Sequence, residues 1–327
     1  MLDLAQLDRP MAARLARELE EVKIIFERQL ASELSAVNGL CVHIEQYRGK
    51  MLRPTLVLLS GLSVLGDEPL TPAHRTVAAV TEMIHMATLV HDDVLDEAEV
   101  RRRGATVNHL WGNETAVMLG DYLISNAFHL CSTIGDPAIN LALGEVTNTL
   151  CEGELAQLHH RDDFGLDEAT YLEIIRRKTA SLIGACCQLG AQLAGAPTAT
   201  TAALGRVGIA LGIAFQIQDD LLDLLGNEAV VGKTLGLDLS KGKLTLPVIA
   251  HLSEASPAQR ATTLRALETG DATTVRTALR DSGAVAYAQT AARRFVDDAR
   301  AELTTLPASP GRVLFDSLAM SVVARDR

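Results

Sequence analysis

Residues 89–104 read LVHDDVLDEAEVRRRG, and residues 216–223 read QIQDDLLD. Each stretch carries an Asp-Asp-x-x-Asp core at the end of an apolar run. In a helix, side chains four apart stand one turn above the other on one face. Asp92 therefore pairs with Asp96, and Asp219 with Asp223. Such like-charge pairs cost an isolated helix about 0.2–0.5 kcal/mol each, so something should compensate them. Mg2+ fits: it takes carboxylate oxygens, keeps waters and completes its shell with substrate phosphates. Two facing carboxylate pairs would hold several such ions around one diphosphate.

Cations follow each motif. Arg101, Arg102 and Arg103 come after the first, Lys233 and Lys243 after the second. Cations beside an acidic metal site make sense when an anion lies between them, and guanidinium forks and ammonium groups suit phosphate oxygens. Lys241 reads as an ordinary surface charge. A third basic patch, GKMLRP at 49–54, sets Lys50 and Arg53 three apart, on one face if the segment is a helix with Pro54 in its first turn. His85 lies two turns before Asp92 and points the same way, although alone it reads as a satisfied core histidine. Glu82 and His85 also form an ExxH, but a di-iron carboxylate site needs a second one, and the chain has no other.

These groups must be positioned by helices. The chain has 327 residues, 48% hydrophobic and only 3% aromatic, a balance that favours close helix packing over aromatic-rich strands. GDEP at 66–69, the turn at 135–137, DDFG at 162–165, AGAP at 194–197 and PASPG at 307–311 punctuate segments of three-to-four apolar spacing. Sustained period-2 alternation is nearly absent. The segments 76–90 and 204–217 are apolar on most of their circumference and belong inside a large bundle. No linker separates the two acidic motifs, so one all-α domain spanning 1–327 is expected. The net charge of −11 argues against nucleic-acid binding but leaves a local phosphate site open. Five cysteines without CxxC spacing read as small apolar core residues of a reducing compartment. An acidic N-terminus and no apolar run of membrane-spanning length lead us to expect a cytoplasmic protein.

GKMLRP, EMIHMATLVHDDVLD, RRRG, GDYL, KTASLIGA, FQIQDDLLD and GKTLGLDLSKGKLTLP, in this order between about 48 and 248, resemble the trans-type isoprenyl diphosphate synthases, the polyprenyl synthetase family. The C-terminal part, 249–327, resembles it more weakly. The resemblance implies the isoprenoid synthase type I fold, a helical bundle around a deep central cavity, acting as a homodimer on an allylic diphosphate and isopentenyl diphosphate. It also implies Mg2+ on Asp92, Asp96 and Asp219, supported by Asp93, Asp220 and Asp223. Arg101, Lys178, Thr179, Gln216, Lys233 and Lys243 match allylic-substrate positions, and Lys50, Arg53, His85 and Arg102 match the isopentenyl diphosphate site. The family has two arginines before glycine where this chain has three. The ungapped count from Asp92 selects Arg101 and Arg102 and keeps TVN at 106–108 in register; matching RRG selects Arg102 and Arg103.

In this family a bulky aromatic four or five residues before the first motif stops chain growth. Ala87 and Thr88 stand there, so a medium-to-long polyprenyl product is expected, with Met83, Ile84 and Met86 as deeper obstacles. The alternatives are a short-chain synthase, disfavoured by Ala87 and Thr88, a terpene cyclase, disfavoured by the second substrate site, and a non-catalytic subunit, disfavoured by two intact acidic motifs. A transient membrane contact for releasing a greasy product is compatible with this reading, though no amphipathic basic helix is evident to anchor one.

Overall fold

A computed structural model describes residues 9–102, 104–225 and 237–324. In chain order its helices are α1 (Arg9–Leu30), α2 (Ser35–Ile44), α3 (Leu52–Leu65), α4 (Pro72–Leu95), α5 (Val107–Trp111), α6 (Asn113–Ser132), α7 (Pro137–His159) and α8 (Glu168–Ile175). A π-helical turn, Arg176–Ala180, leads to α9 (Ser181–Leu193), α10 (Thr198–Leu225), α11 (Leu237–Ser240) and α12 (Leu246–Glu254). The chain continues with α13 (Pro257–Glu268), α14 (Ala272–Asp281), α15 (Ala284–Thr304) and α16 (Pro310–Val323). The breakers read from sequence coincide with helix ends. GDEP follows α3, AGAP separates α9 from α10, and Pro310 opens α16.

The described residues form two compact units. Of the described residues, those of 9–147, 182–208 and 302–318 make the first, and those of 148–181, 209–301 and 319–324 make the second. In the first, α4 is buried along almost its whole length, from Val77 to Val90, and α3 buries Leu56 to Leu59 and Leu62. A reciprocal cap starts α4: the Thr71 backbone N–H donates to His74 Nδ1 at 3.2 Å, and Pro72 occupies the first turn. Close approach of α9 and α10 depends on Gly208, where a Cβ would lie 2.7 Å from Gly184 Cα. The second unit packs Ile213, Ile217, Leu221 and Leu224 of α10 against Leu246, Val248, Ile249 and Leu252 of α12. Val275 and Leu279 of α14 join the same core.

The secondary structure of the described residues is helical save for one small antiparallel hairpin, which pairs Val100 with Ala105 and Arg101 with Gly104, so the all-α expectation holds. Two expectations need correction. First, α10 is long and apolar enough to cross a membrane by length and composition, and half of its apolar window is buried inside the protein. Second, Cys131, Cys186 and Cys187 are buried, but Cys151 is exposed; all five are free thiols.

Candidate active site

The first acidic motif closes α4. Asp96 caps the helix, and its backbone N–H still donates to the Asp92 carbonyl at 2.8 Å, so the two residues remain one turn apart. Both are half-buried. Asp93, between them, is 1% exposed. Its Oδ1 accepts from Arg101 Nε at 2.8 Å and Nη2 at 2.7 Å. Burial raises the Asp93 carboxyl above the ordinary carboxylate range, while Arg101 and then Tyr47 draw it back. TVN holds the turn that follows: Thr106 Oγ1 donates to the Ala98 carbonyl at 2.6 Å, and Asn108 Nδ2 donates to the Asp93 carbonyl at 3.2 Å.

The hairpin turns on Arg102, whose φ is +50°. Its guanidinium donates to the Tyr47 carbonyl and lies over Gly49. Arg53 is half-buried, with its Nε enclosed and making no hydrogen bond among the described residues. Glu82 is 2% exposed. Burial raises its carboxyl, and Arg53, Arg102 and Arg48 pull against that rise. Burial drives the His85 imidazole well below its usual range, and Arg53, Arg102 and Arg101 add to the effect, so His85 is neutral. Lys50 is exposed and precedes α3, because Met51 takes a left-handed conformation with φ 53° as the helix cap. Lys50 and Arg53 therefore do not share a helix face, as their spacing had suggested.

The second motif lies in the last turns of α10. Asp219 is half-buried, whereas Asp220 and Asp223 are 5% and 4% exposed. Asp220 Oδ2 accepts from the Tyr171 hydroxyl at 2.7 Å, and Oδ1 accepts from Gln216 Nε2 at 2.7 Å. Burial, then Asp238, pushes the Asp220 carboxyl well up, against the pull of these two donors. Asp223 Oδ2 accepts from the Asp238 backbone N–H at 3.3 Å. The π-helical turn presents Lys178 and Thr179. Lys178 Nζ donates to Gln157 Oε1 at 2.7 Å and pairs with Glu154, while Thr179 Oγ1 donates to Gln216 Oε1 at 2.9 Å. Lys243 is half-buried, its backbone N–H bonded to the Asp238 carbonyl at 2.9 Å. Lys233 and Arg103 lie outside the described residues.

Exposure thus sorts the carboxylates. Asp92, Asp96 and Asp219 are half-buried, and Asp93, Asp220 and Asp223 are buried on protein donors. Among the described residues no group of three or more His, Cys, Asp or Glu side chains could hold a metal alone. Within each unit, carboxylate oxygens of this kind fit a hard cation whose shell is completed by water and phosphate. They do not fit a structural zinc cage.

Sequence reasoning missed Tyr47, Glu82 and Tyr171 as contributors. Glu82 was visible only as part of an ExxH. Tyr171 lies seven residues before Lys178, and Tyr47 three before Lys50, with no spacing rule to mark either. The one available signal was a polar group inside an apolar periodic segment. Of the two residues expected to set product length, Ala87 is fully buried and Thr88 is half-buried, its hydroxyl donating to the His85 carbonyl at 2.8 Å.

A model of the polyprenyl synthetase family matches residues 35–281. The chain is 36% identical to heptaprenyl diphosphate synthase component 2 of Geobacillus stearothermophilus, over 97% of this chain and 98% of that protein. The solved decaprenyl diphosphate synthase of Rhodobacter capsulatus superposes with a TM-score of 0.89 at 37% identity, covering 98% of this chain and 99% of the other. A Caulobacter crescentus polyprenyl synthase, solved with calcium and isoprenyl diphosphate, gives a TM-score of 0.90 at 32% identity, covering 96% and 98%.

Proposed function

Because the chain belongs to the polyprenyl synthetase family of trans-prenyltransferases, with its all-α isoprenoid synthase fold, we propose that it extends an allylic diphosphate by repeated head-to-tail condensation with isopentenyl diphosphate. In each round the allylic C–O bond breaks, a C–C bond forms, and a proton leaves to give a trans double bond. The observation that carries this reading is the sorting of the carboxylates: in both motifs some are exposed enough to bind a cation while their neighbours are tied to protein donors.

Asp92, Asp96 and Asp219 would hold Mg2+, which neutralises charge developing on the departing diphosphate. Lys178, Gln216 and Lys243 bind the allylic diphosphate, with Thr179 holding the Gln216 amide and Lys233 coming from the segment outside the described residues. Lys50, Arg53, Arg102 and the neutral His85 bind isopentenyl diphosphate. Arg101 holds Asp93 and so supports the acidic turn. Arg102 belongs to either candidate arginine pair, and its guanidinium donates to the Tyr47 carbonyl. The small side chains at Ala87 and Thr88 would leave room for a growing chain, and an apolar cavity would shield the carbocation from water. The product is accordingly a medium-to-long all-trans polyprenyl diphosphate, in line with the heptaprenyl and decaprenyl names of the relatives.

The working form in this reading is a cytoplasmic homodimer built from one synthase domain per chain. Mixing the purified chain with Mg2+, labelled isopentenyl diphosphate and primers of several lengths tests it; chromatography should resolve long extended products. A second reading has its own support: one relative is named as component 2 of its synthase. If the chain alone extends no primer and gains activity only with a second polypeptide, the heteromeric reading replaces the homodimer.

A further inference from the structure

Hydrogen bonds among four side chains of the second unit converge on Asp220 from two sides. Thr179 Oγ1 donates to Gln216 Oε1 at 2.9 Å, and Gln216 Nε2 donates to Asp220 Oδ1 at 2.7 Å. The Tyr171 hydroxyl donates to Asp220 Oδ2 at 2.7 Å. Tyr171 and Asp220 are 3% and 5% exposed, so neither oxygen of the carboxylate is left to water. Burial, reinforced by Asp220, holds the Tyr171 phenol well above its ordinary range, so it stays protonated and remains a donor.

The polarity of these bonds determines how the Gln216 amide faces. A flipped amide would set its carbonyl against the Asp220 oxygen, placing two acceptors together, and would leave the Thr179 hydroxyl without its acceptor. In the observed sense one Gln216 N–H goes to Asp220. The second N–H remains as a donor of known direction on a half-buried side chain. Thr179 has its only hydrogen committed to Gln216, so it orients the amide more than it donates to an anion. Asp220 keeps Gln216 in place only while its carboxylate does not rotate, and the Tyr171 hydroxyl holds the other oxygen.

We propose that Tyr171 is a positioning residue for the allylic diphosphate: by holding Asp220 it fixes the Gln216 amide with one N–H turned toward the substrate. This rests on the reading that the second acidic motif serves the allylic diphosphate. Tyr171→Phe removes the hydroxyl and keeps the ring. The expected result is an allylic-primer KM about 5- to 10-fold higher, with the KM for isopentenyl diphosphate unchanged. Gln216→Ala should raise the same KM, and the double variant should be no worse than Gln216→Ala alone. Thr179→Val gives an independent arm at a half-buried position, and its primer KM should also rise selectively. A Tyr171→Phe protein with wild-type primer KM would overturn the proposal, whatever its melting temperature. So would equal losses for both substrates, or strictly additive effects in the double variant. Asp219→Asn separates the two levels. If it keeps normal primer binding and turnover, the reading of the motif fails; if it is inactive while Tyr171→Phe behaves as wild type, only the positioning role fails.

Discussion

The guanidinium of Arg102 occupies the space in which a side chain at Gly49 would begin: a Cβ there would lie 2.6 Å from Nη2 and 2.8 Å from Cζ. The tip of a long side chain can move away, so Gly49→Ala should fold with little loss of stability. The displaced guanidinium would also lose its bond to the Tyr47 carbonyl. We expect KM for isopentenyl diphosphate to rise about 10-fold, as for loss of one charge-assisted contact, with primer KM unaffected. Steady-state kinetics with each substrate varied in turn checks this, and an unchanged KM for isopentenyl diphosphate would separate Arg102 from that substrate.

Glu82 is buried under the influence of three guanidiniums, those of Arg53, Arg102 and Arg48. Replacing the carboxyl by an amide removes the one group acting on those three guanidiniums with opposite sign from this buried position. Glu82→Gln should therefore lower the midpoint of denaturant unfolding clearly, and more than Glu97→Gln on the exposed turn. Equal midpoints for the two variants would show that the arginines do not depend on Glu82.

The depressed His85 imidazole gives a pH signature. Its folded-state pKa lies well below the unfolded value of about 6.5. The unfolded chain therefore binds a proton that the folded chain refuses. Stability from this group is complete above that value and falls as pH drops through it. The groups acting on His85 besides burial are Arg53, Arg102 and Arg101, which remain charged throughout. The melting temperature should fall between pH 7 and pH 5.5 more steeply in the wild type than in His85→Gln. Parallel slopes would mean that His85 is protonated in the folded protein.

What was legible in the sequence, and what was not, follows from the range of the interactions. Asp92 and Asp219 could be read because paired carboxylates at helical spacing ask for a cation, whatever the fold. Gly66, Gly195 and Pro310 marked helix limits for equally local reasons. Lys50 was misjudged because a left-handed Met51 ends the periodicity on which spacing arguments rest. Tyr47, Glu82 and Tyr171 were silent because their partners are 49 to 60 residues away or act through the field of several arginines. The charge on Arg101 was obvious, but its inward commitment to Asp93 depends on a hairpin only two residues wide on each side. Likewise, the length of α10 suggests a membrane until its burial is known.

Product length should respond to the fully buried small residue one turn and a residue before Asp92. Ala87→Tyr introduces a bulky ring beside the path expected for the growing chain, and it should shorten the products while leaving the first condensation intact. Chromatography of dephosphorylated products reads this directly. A fully active variant with the original product distribution would remove Ala87 from the determination of length.

The central claim is that both acidic helix ends act on the reaction through their more exposed carboxylates. Its most direct test is the initial rate of isopentenyl diphosphate incorporation at saturating Mg2+ for Asp92→Asn and Asp219→Asn beside the wild type, with folding verified by circular dichroism. Both variants should fold, with turnover reduced by about 1000-fold or more in each, as befits loss of charge at an electrostatic site. Robust turnover in either folded variant would contradict it.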